Sequence, residues 1–167
     1  MNTLQELFLQ EAQELFGAER HIATILPQMA EMTTSPDLRT ILQEHETQTQ
    51  GHIQRLESLF QQLGQQPQEI PSPTLQALTS EAQEKLGQIQ DPNLREAFVV
   101  AAQQKVEHFE IACYGTARSH ALQLDMGDAA DLLQQTLEEE KSTDLRLSRI
   151  AENNVNDRAD PQHVQGS

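Results

Sequence analysis

LRTILQEHETQTQGHIQRLESLF, residues 38–60, decides the fold. Leu38, Ile41, Leu42, Ile53, Leu56 and Phe60 recur at steps of three and four, the period of one helical face. Carried through the middle of the segment, the same stripe lands on His45, Thr49 and His52, with Gln48 alongside. A core face that turns polar over its middle third needs partners for those groups, because an unpaired buried charge costs several kcal/mol or neutralises itself.

Outward from this segment, the chain reads as helix on both sides. Leu4, Phe8, Leu15, Ala18, Ile22, Ile25 and Met29 place a helix over residues 3–32, with Glu19 on the flank of its stripe and Glu11 as a solvated or capping acid. Pro36 pushes the residue before it out of the helical region, and Ser35 or Asp37 can cap the next helix, which runs to Leu63. Gly64 and the stretch QQPQEIPSP cannot continue it, and a short amphipathic helix over 73–89 reads as a crossover element. A long helix over 92–124 takes Leu94, Phe98, Ala101, Ala102, Val106, Phe109, Cys113, Ala117 and Leu124 as its apolar face, bordered by Glu107 and Glu110. The linker LDMGD breaks the chain at Gly127. In the last helix, over 128–154, Glu140 and Asp144 fill the stripe between Leu137 and Leu147, while Glu138 and Glu139 read as solvated. The expected architecture is all-α: a ferritin-like four-helix bundle with one long crossover carrying a short extra helix, over residues 1–158, and a flexible polar tail over 159–167.

A helix rises about 1.5 Å per residue, so residues equidistant from a tight turn share a height. Around a turn centred on residue 34 or 35, Glu19 stands opposite Thr49 or Gln50, level with His52 and one turn from His45. Around a turn centred on Met126, Glu107 stands opposite Leu145 and Glu110 opposite Ser142, bracketed by Glu140 and Asp144. The acids and histidines of each hairpin therefore gather in one mid-helix layer. Carboxylate and imidazole donors from four helices suit iron or manganese, with zinc a weaker fit, and do not suit a soft metal that requires thiolate. The Glu-x-x-His pairs that complete such sites in bundle carboxylate proteins are absent from the second and last long helices.

Composition narrows the remaining classes. The chain has 167 residues, enough for one sizeable core, and a formal net charge of −15. That balance argues against nucleic-acid phosphates and anionic membrane surfaces as partners. One cysteine, Cys113, excludes an internal disulfide framework and reads as a small core residue. The N-terminus lacks the basic region of a signal peptide and no run is long enough for a membrane span, so a cytoplasmic protein is expected.

The blocks AAQQKVEHFEIACYGTA (101–117) and LLQQTLEEEKSTDLRLSRIAENNVN (132–156) are the most specific in the chain. Together with Ala18-Glu19, His45, the segment from Thr49 through Arg55-Leu56-Glu57, and Phe60-x-x-Leu63-Gly64, they resemble the YciF/YciE-like family of ferritin-like bacterial stress-response proteins over residues 3–158. The resemblance implies a bundle that is usually dimeric, a role in stress, and a candidate di-metal site of the rubrerythrin or ferritin kind. Glu19, His45, Glu107, Glu110, Glu140 and Asp144 match the family's pattern, and His52 matches a position that is often histidine. Where many relatives have a glutamate in the second helix, this chain has Gln48, a neutral oxygen donor in place of an anionic one. The expectation is a homodimer binding one or two iron or manganese ions, with oxygen or peroxide redox chemistry of an oxidase or peroxidase type. The alternative is a non-enzymatic stress protein that kept the bundle and lost full metal binding.

Overall fold

The computed structural model describes residues 1–160. Four long helices, α1 (Leu4–Met32), α2 (Pro36–Gln62), α4 (Pro92–Gln123) and α5 (Gly127–Ile150), form the bundle, and α3 (Pro73–Gln88) lies on the α2–α4 crossover. A π-helical turn, Ala151–Val155, and a last short helix α6 (Asn156–Ala159) extend α5. Of the expected tail, residues 161–167 lie outside the described residues. Among the described residues there is no strand and no helix long and apolar enough to cross a membrane.

Local chemistry sets the helix starts. Thr3 and Glu6 form a reciprocal capping box at α1. The pairs Ser35-Pro36, Ser72-Pro73 and Asp91-Pro92 repeat one device: the side-chain oxygen accepts from the backbone N–H three residues on, and proline fills the first helical position. Gly64, at φ +64°, closes α2 in the left-handed region where glycine carries no Cβ penalty. At the α4–α5 turn the left-handed residue is Asp125 (φ 57°), while Gly127, expected as the break, is already the first residue of α5. A short polar side chain tolerates that conformation.

The face of α4 also differs from the expected one. Leu94 is 49% exposed and Ala101 is exposed, whereas Glu96, Val99, Gln103, Glu107, Glu110 and Tyr114 are buried. α4 packs on α1, α3, α5 and α6, so apolar residues surround it and no longer mark one inward stripe.

Two apolar cores result. One joins Ile22, Leu26, Leu38, Leu42, Val99, Val100, Leu147 and Ile150 near the α1–α2 turn. The other joins Phe8, Phe16, Leu56, Phe60, Ala117, Ala121, Leu133 and Leu137 at the opposite end. All four long helices contribute to both, and the polar layer lies between them.

The crossover is seated on α1 at Gly17. The Ile70 N–H donates to the Gln13 carbonyl at 3.0 Å, and a Cβ on Gly17 would stand 2.3 Å from the Ile70 carbonyl oxygen. Gly17→Ala is therefore expected to destabilise the protein by about 1–3 kcal/mol, the range for overpacking. Urea denaturation checks this, and a midpoint equal to wild type would show that the crossover shifts at no cost.

Candidate metal centre

Each long helix brings acids or histidines to the middle layer. α1 supplies Glu19, α2 supplies His45 and His52, α4 supplies Glu107 and Glu110, and α5 supplies Glu140, all buried. One donor atom each from His45, Glu107, Glu110 and Glu140 falls within 4.8 Å of the others, as does one each from Glu19, His52 and Glu140. Glu140 belongs to both groups.

In the first group, the His45 Nε2 lies 3.3 Å from Glu107 and 3.9 Å from Glu140. In the second, the His52 Nδ1 lies 3.2 Å from Glu19 and 3.0 Å from Glu140. Side chains outside the two groups hold them in place. The Tyr114 hydroxyl donates to Glu19 at 2.5 Å, and the Gln103 amide donates to Glu107 at 2.6 Å. The His52 Nε2 lies 2.9 Å from Glu139, which receives two N–H groups of Arg55 at 2.7 and 3.0 Å.

Glu139 thus joins the centre although its position on the helix suggested solvent. The signal lay in Arg55, one turn beyond His52, a cation in need of an acid. A histidine whose second nitrogen is fixed by a carboxylate is the usual outer support of a metal ligand.

Electrostatics strain this layer. Burial pushes the Glu107 carboxyl well above its usual range despite His45 beside it. Burial does the same for Glu110, reinforced by the charges of Glu140 and Glu19, and it raises Glu140. Burial disfavours a charged His52, but Glu140 and Glu19 outweigh it and push that imidazole up to about 10. Burial, then Glu19, holds the Tyr114 phenol well above its ordinary value. Burial, then Glu14 and Glu11, push the Cys113 thiol up to about 11, and Cys113 belongs to neither donor group.

Buried polar atoms without an aligned hydrogen-bond partner collect here. They are both nitrogens of His45, both oxygens of Glu110 and Glu140, one oxygen of Glu107, and the Thr49 hydroxyl; the Nε of Arg95 is the one case elsewhere among the described residues. Native interiors seldom leave such groups unpaired. A cation bound by this set would engage one nitrogen of His45 and carboxylate oxygens of Glu107, Glu110 and Glu140, and would displace the protons that burial favours, so the residues fit a metal.

The structure does not bring Asp144 into either group. Its carboxylate lies 3.3 Å from the exposed His108 and 3.4 Å from the Gln104 amide, while Thr143 takes the buried position beside it. Gln48 also stays beside the layer, accepting from the Thr143 hydroxyl at 3.3 Å, and Thr49 fills the buried site. The pattern of bundle carboxylate proteins puts a Glu three residues before the histidine of one helix and a His three residues after the glutamate of another. Here those positions are Thr49, before His52, and Thr143, after Glu140. His45 and Glu107 bring an imidazole and a carboxylate to the same layer.

Comparison with known proteins places this centre in context. Residues 3–160 match the family described as Domain of unknown function (DUF892). Protein YciF of Escherichia coli K12 is 34% identical over 161 residues, covering 96% of this chain and 97% of that protein. The crystal structure of that E. coli stress protein superposes with a TM-score of 0.87, covering 93% of this chain and 99% of the other. YcfI of Rhodopseudomonas palustris gives a TM-score of 0.87 at 37% identity, with 88% and 94% covered. A Bacillus anthracis structure described as ferritin-like, diiron-carboxylate gives 0.69 at 17% identity, with 90% and 99% covered, which shows the shared fold.

Proposed function

The chain belongs to the DUF892 family, and from that premise we propose that it is a ferritin-like stress-response protein binding one or two iron or manganese ions in its mid-bundle layer. The observation that carries this reading is the set of unpartnered buried donors on three helices around the shared carboxylate of Glu140. His45, Glu107, Glu110 and Glu140 would hold one ion; Glu19, His52 and Glu140 would hold the other. Bound there, such a metal supplies redox chemistry toward dioxygen or peroxide, an oxidase or peroxidase type of activity suited to stress protection. The chain's own groups set the stage. Glu139 and Arg55 fix the His52 ring, Tyr114 orients Glu19, and the apolar cores above and below exclude bulk water. The family resemblance also supports reading the protein as a homodimer.

Elemental analysis of protein purified without a histidine tag, after iron or manganese supplementation, tests the proposal. At least one ion per chain is expected. Metal at about a hundred times its dissociation constant should stabilise the native state by roughly 2.7 kcal/mol, which for this chain length is on the order of 5–10 °C in melting temperature. Trace metal and an unchanged melting temperature would sink it.

That outcome would instead favour a second reading, a non-enzymatic bundle stress protein without full metal binding. Thr49 and Thr143, neutral and buried in the layer, support it. Protonated Glu107 and Glu110 would then carry the layer unaided.

A further inference from the structure

Between α1, α3 and α4 lies a cavity of about 370 Å³, within the range of roughly 300–1,000 Å³ typical of small-molecule sites. Leu26 and Met29 from α1, Leu78 and Leu86 from α3, and Val106 from α4 make its wall largely apolar. Arg95 interrupts that lining. One of its guanidinium N–H groups donates to the Ile89 carbonyl at 2.7 Å, and its Nε is buried with no hydrogen-bond partner. Among the described residues Arg20, Arg55, Arg146 and Arg158 each hold a carboxylate; Arg95 is in no ion pair, and of the arginines without one it is the one that lines this cavity. An unpaired arginine on an apolar wall, in a chain of net charge −15, is a cation awaiting an anion.

The far end of the cavity offers no comparable group. Gln103 is buried there with its amide already donated to Glu107. Charge is therefore one-ended: the other polar lining residues, Gln28, Thr79, Gln83 and Gln103, are neutral. Arg95 and Gln103 are eight residues apart on α4, about 12 Å along its axis. We propose that this cavity binds a medium-chain aliphatic carboxylate, its head on the Arg95 guanidinium and its chain running along the α1–α3 wall toward Gln103. Arginine's fork of N–H donors matches a carboxylate, and the apolar wall takes the chain. This ligand site goes beyond the metal reading and stands without it.

Isothermal titration of the tagless full-length protein with decanoate, and separately with decylammonium, tests the proposal. Saturable binding of one decanoate per chain is expected, at least about tenfold tighter than decylammonium. Arg95→Gln should weaken decanoate by a similar factor. Because Arg95 also supports the Ile89 carbonyl, Ala82→Phe provides a second variant that fills the cavity and keeps the arginine; it too should weaken binding, with the helical circular dichroism retained. Three results would overturn the assignment: no saturable decanoate binding, decylammonium binding equally well, or both folded variants binding as wild type. The comparison of the two ligands on the wild-type protein decides even if a variant fails to fold.

Discussion

Glu140→Gln is expected to remove metal binding from both halves of the layer at once, while leaving the metal-free protein as stable as before or more so. Glu140 is the one side chain common to both donor groups, so its loss cannot be confined to one ion. Changing a group that merely supports a ligand costs about 10–100-fold in metal affinity, and loss of a shared carboxylate should exceed that. The gain in the metal-free state has a separate cause. Glu140 is buried, its carboxyl is raised by that burial, and neither oxygen has an aligned partner. Its removal also relieves the repulsion among Glu140, Glu19, Glu107 and Glu110, while His52 keeps Glu19 and Glu139 as partners and is not left as an unpaired buried charge. Metal analysis and melting curves with and without iron or manganese read both effects together. Asp144→Asn, outside either group, should match wild type in both. If Glu140→Gln retained its metal, or if its metal-free form lost several kcal/mol, Glu140 would be a structural acceptor for His52 and no bridge.

The largest loss of stability is expected at a different acid, Glu96, at the start of α4. Its side chain is 3% exposed. One oxygen accepts from the Thr34 N–H at 2.7 Å, the Ser35 N–H at 2.6 Å and the Thr34 hydroxyl at 2.5 Å; the other accepts from Arg158 at 2.9 Å. This carboxylate ties the α1–α2 turn and the C-terminal helix α6 to α4. Glu96→Ala strands two backbone donors and an arginine, and should cost about 3–5 kcal/mol, the range for breaking a buried pair.

The same contacts fix the pH dependence. Burial opposes ionisation of Glu96, but hydrogen bonds from Thr34 and Ser35 and the charge of Arg158 outweigh it and hold the carboxyl below its usual range. A folded pKa below the unfolded one gives stability that is fully present above the unfolded value, about 4.3 for Glu, and lost as pH falls through the folded one. Chemical denaturation at neutral pH and in acid should show the gap between wild type and Glu96→Gln closing in acid. An equal gap at both pH values would remove Glu96 from the acid sensitivity.

Much of the layer is legible in the sequence, because helical rise is fixed and turns set heights. Glu19, His45, His52, Glu107, Glu110 and Glu140 were expected in one layer, and they meet there. Asp144 lies outside both groups although it falls between Leu137 and Leu147 on the same stripe as Glu140. The seven-residue spacing was the better guide: Glu140 is seven from Leu133 and Leu147, while Thr143 is seven from Thr136 and Ile150. Thr49 lies on the stripe of α2, whereas the family resemblance points to Gln48 as the position of the missing glutamate. Glu96 could not be read at all, since its partners are backbone groups of a turn brought to it only by the docking of α1 and α2 on α4. Arg95 is equally silent, because an arginine reads as surface until the structure shows its Nε buried without a hydrogen-bond partner.

The separation of the apolar interior into two cores bears on how the molecule comes apart. Every long helix contributes to both cores, and the polar layer lies between them. Neither core can melt by releasing one helix, because that helix is still held by the other. Local opening should therefore begin at the polar waist, where protons and unpaired donors stand in for packed methyl groups. An ion seated there would act as a rivet, fusing two half-molecules into a single cooperative unit and turning metal supply into a control on how readily the bundle breathes.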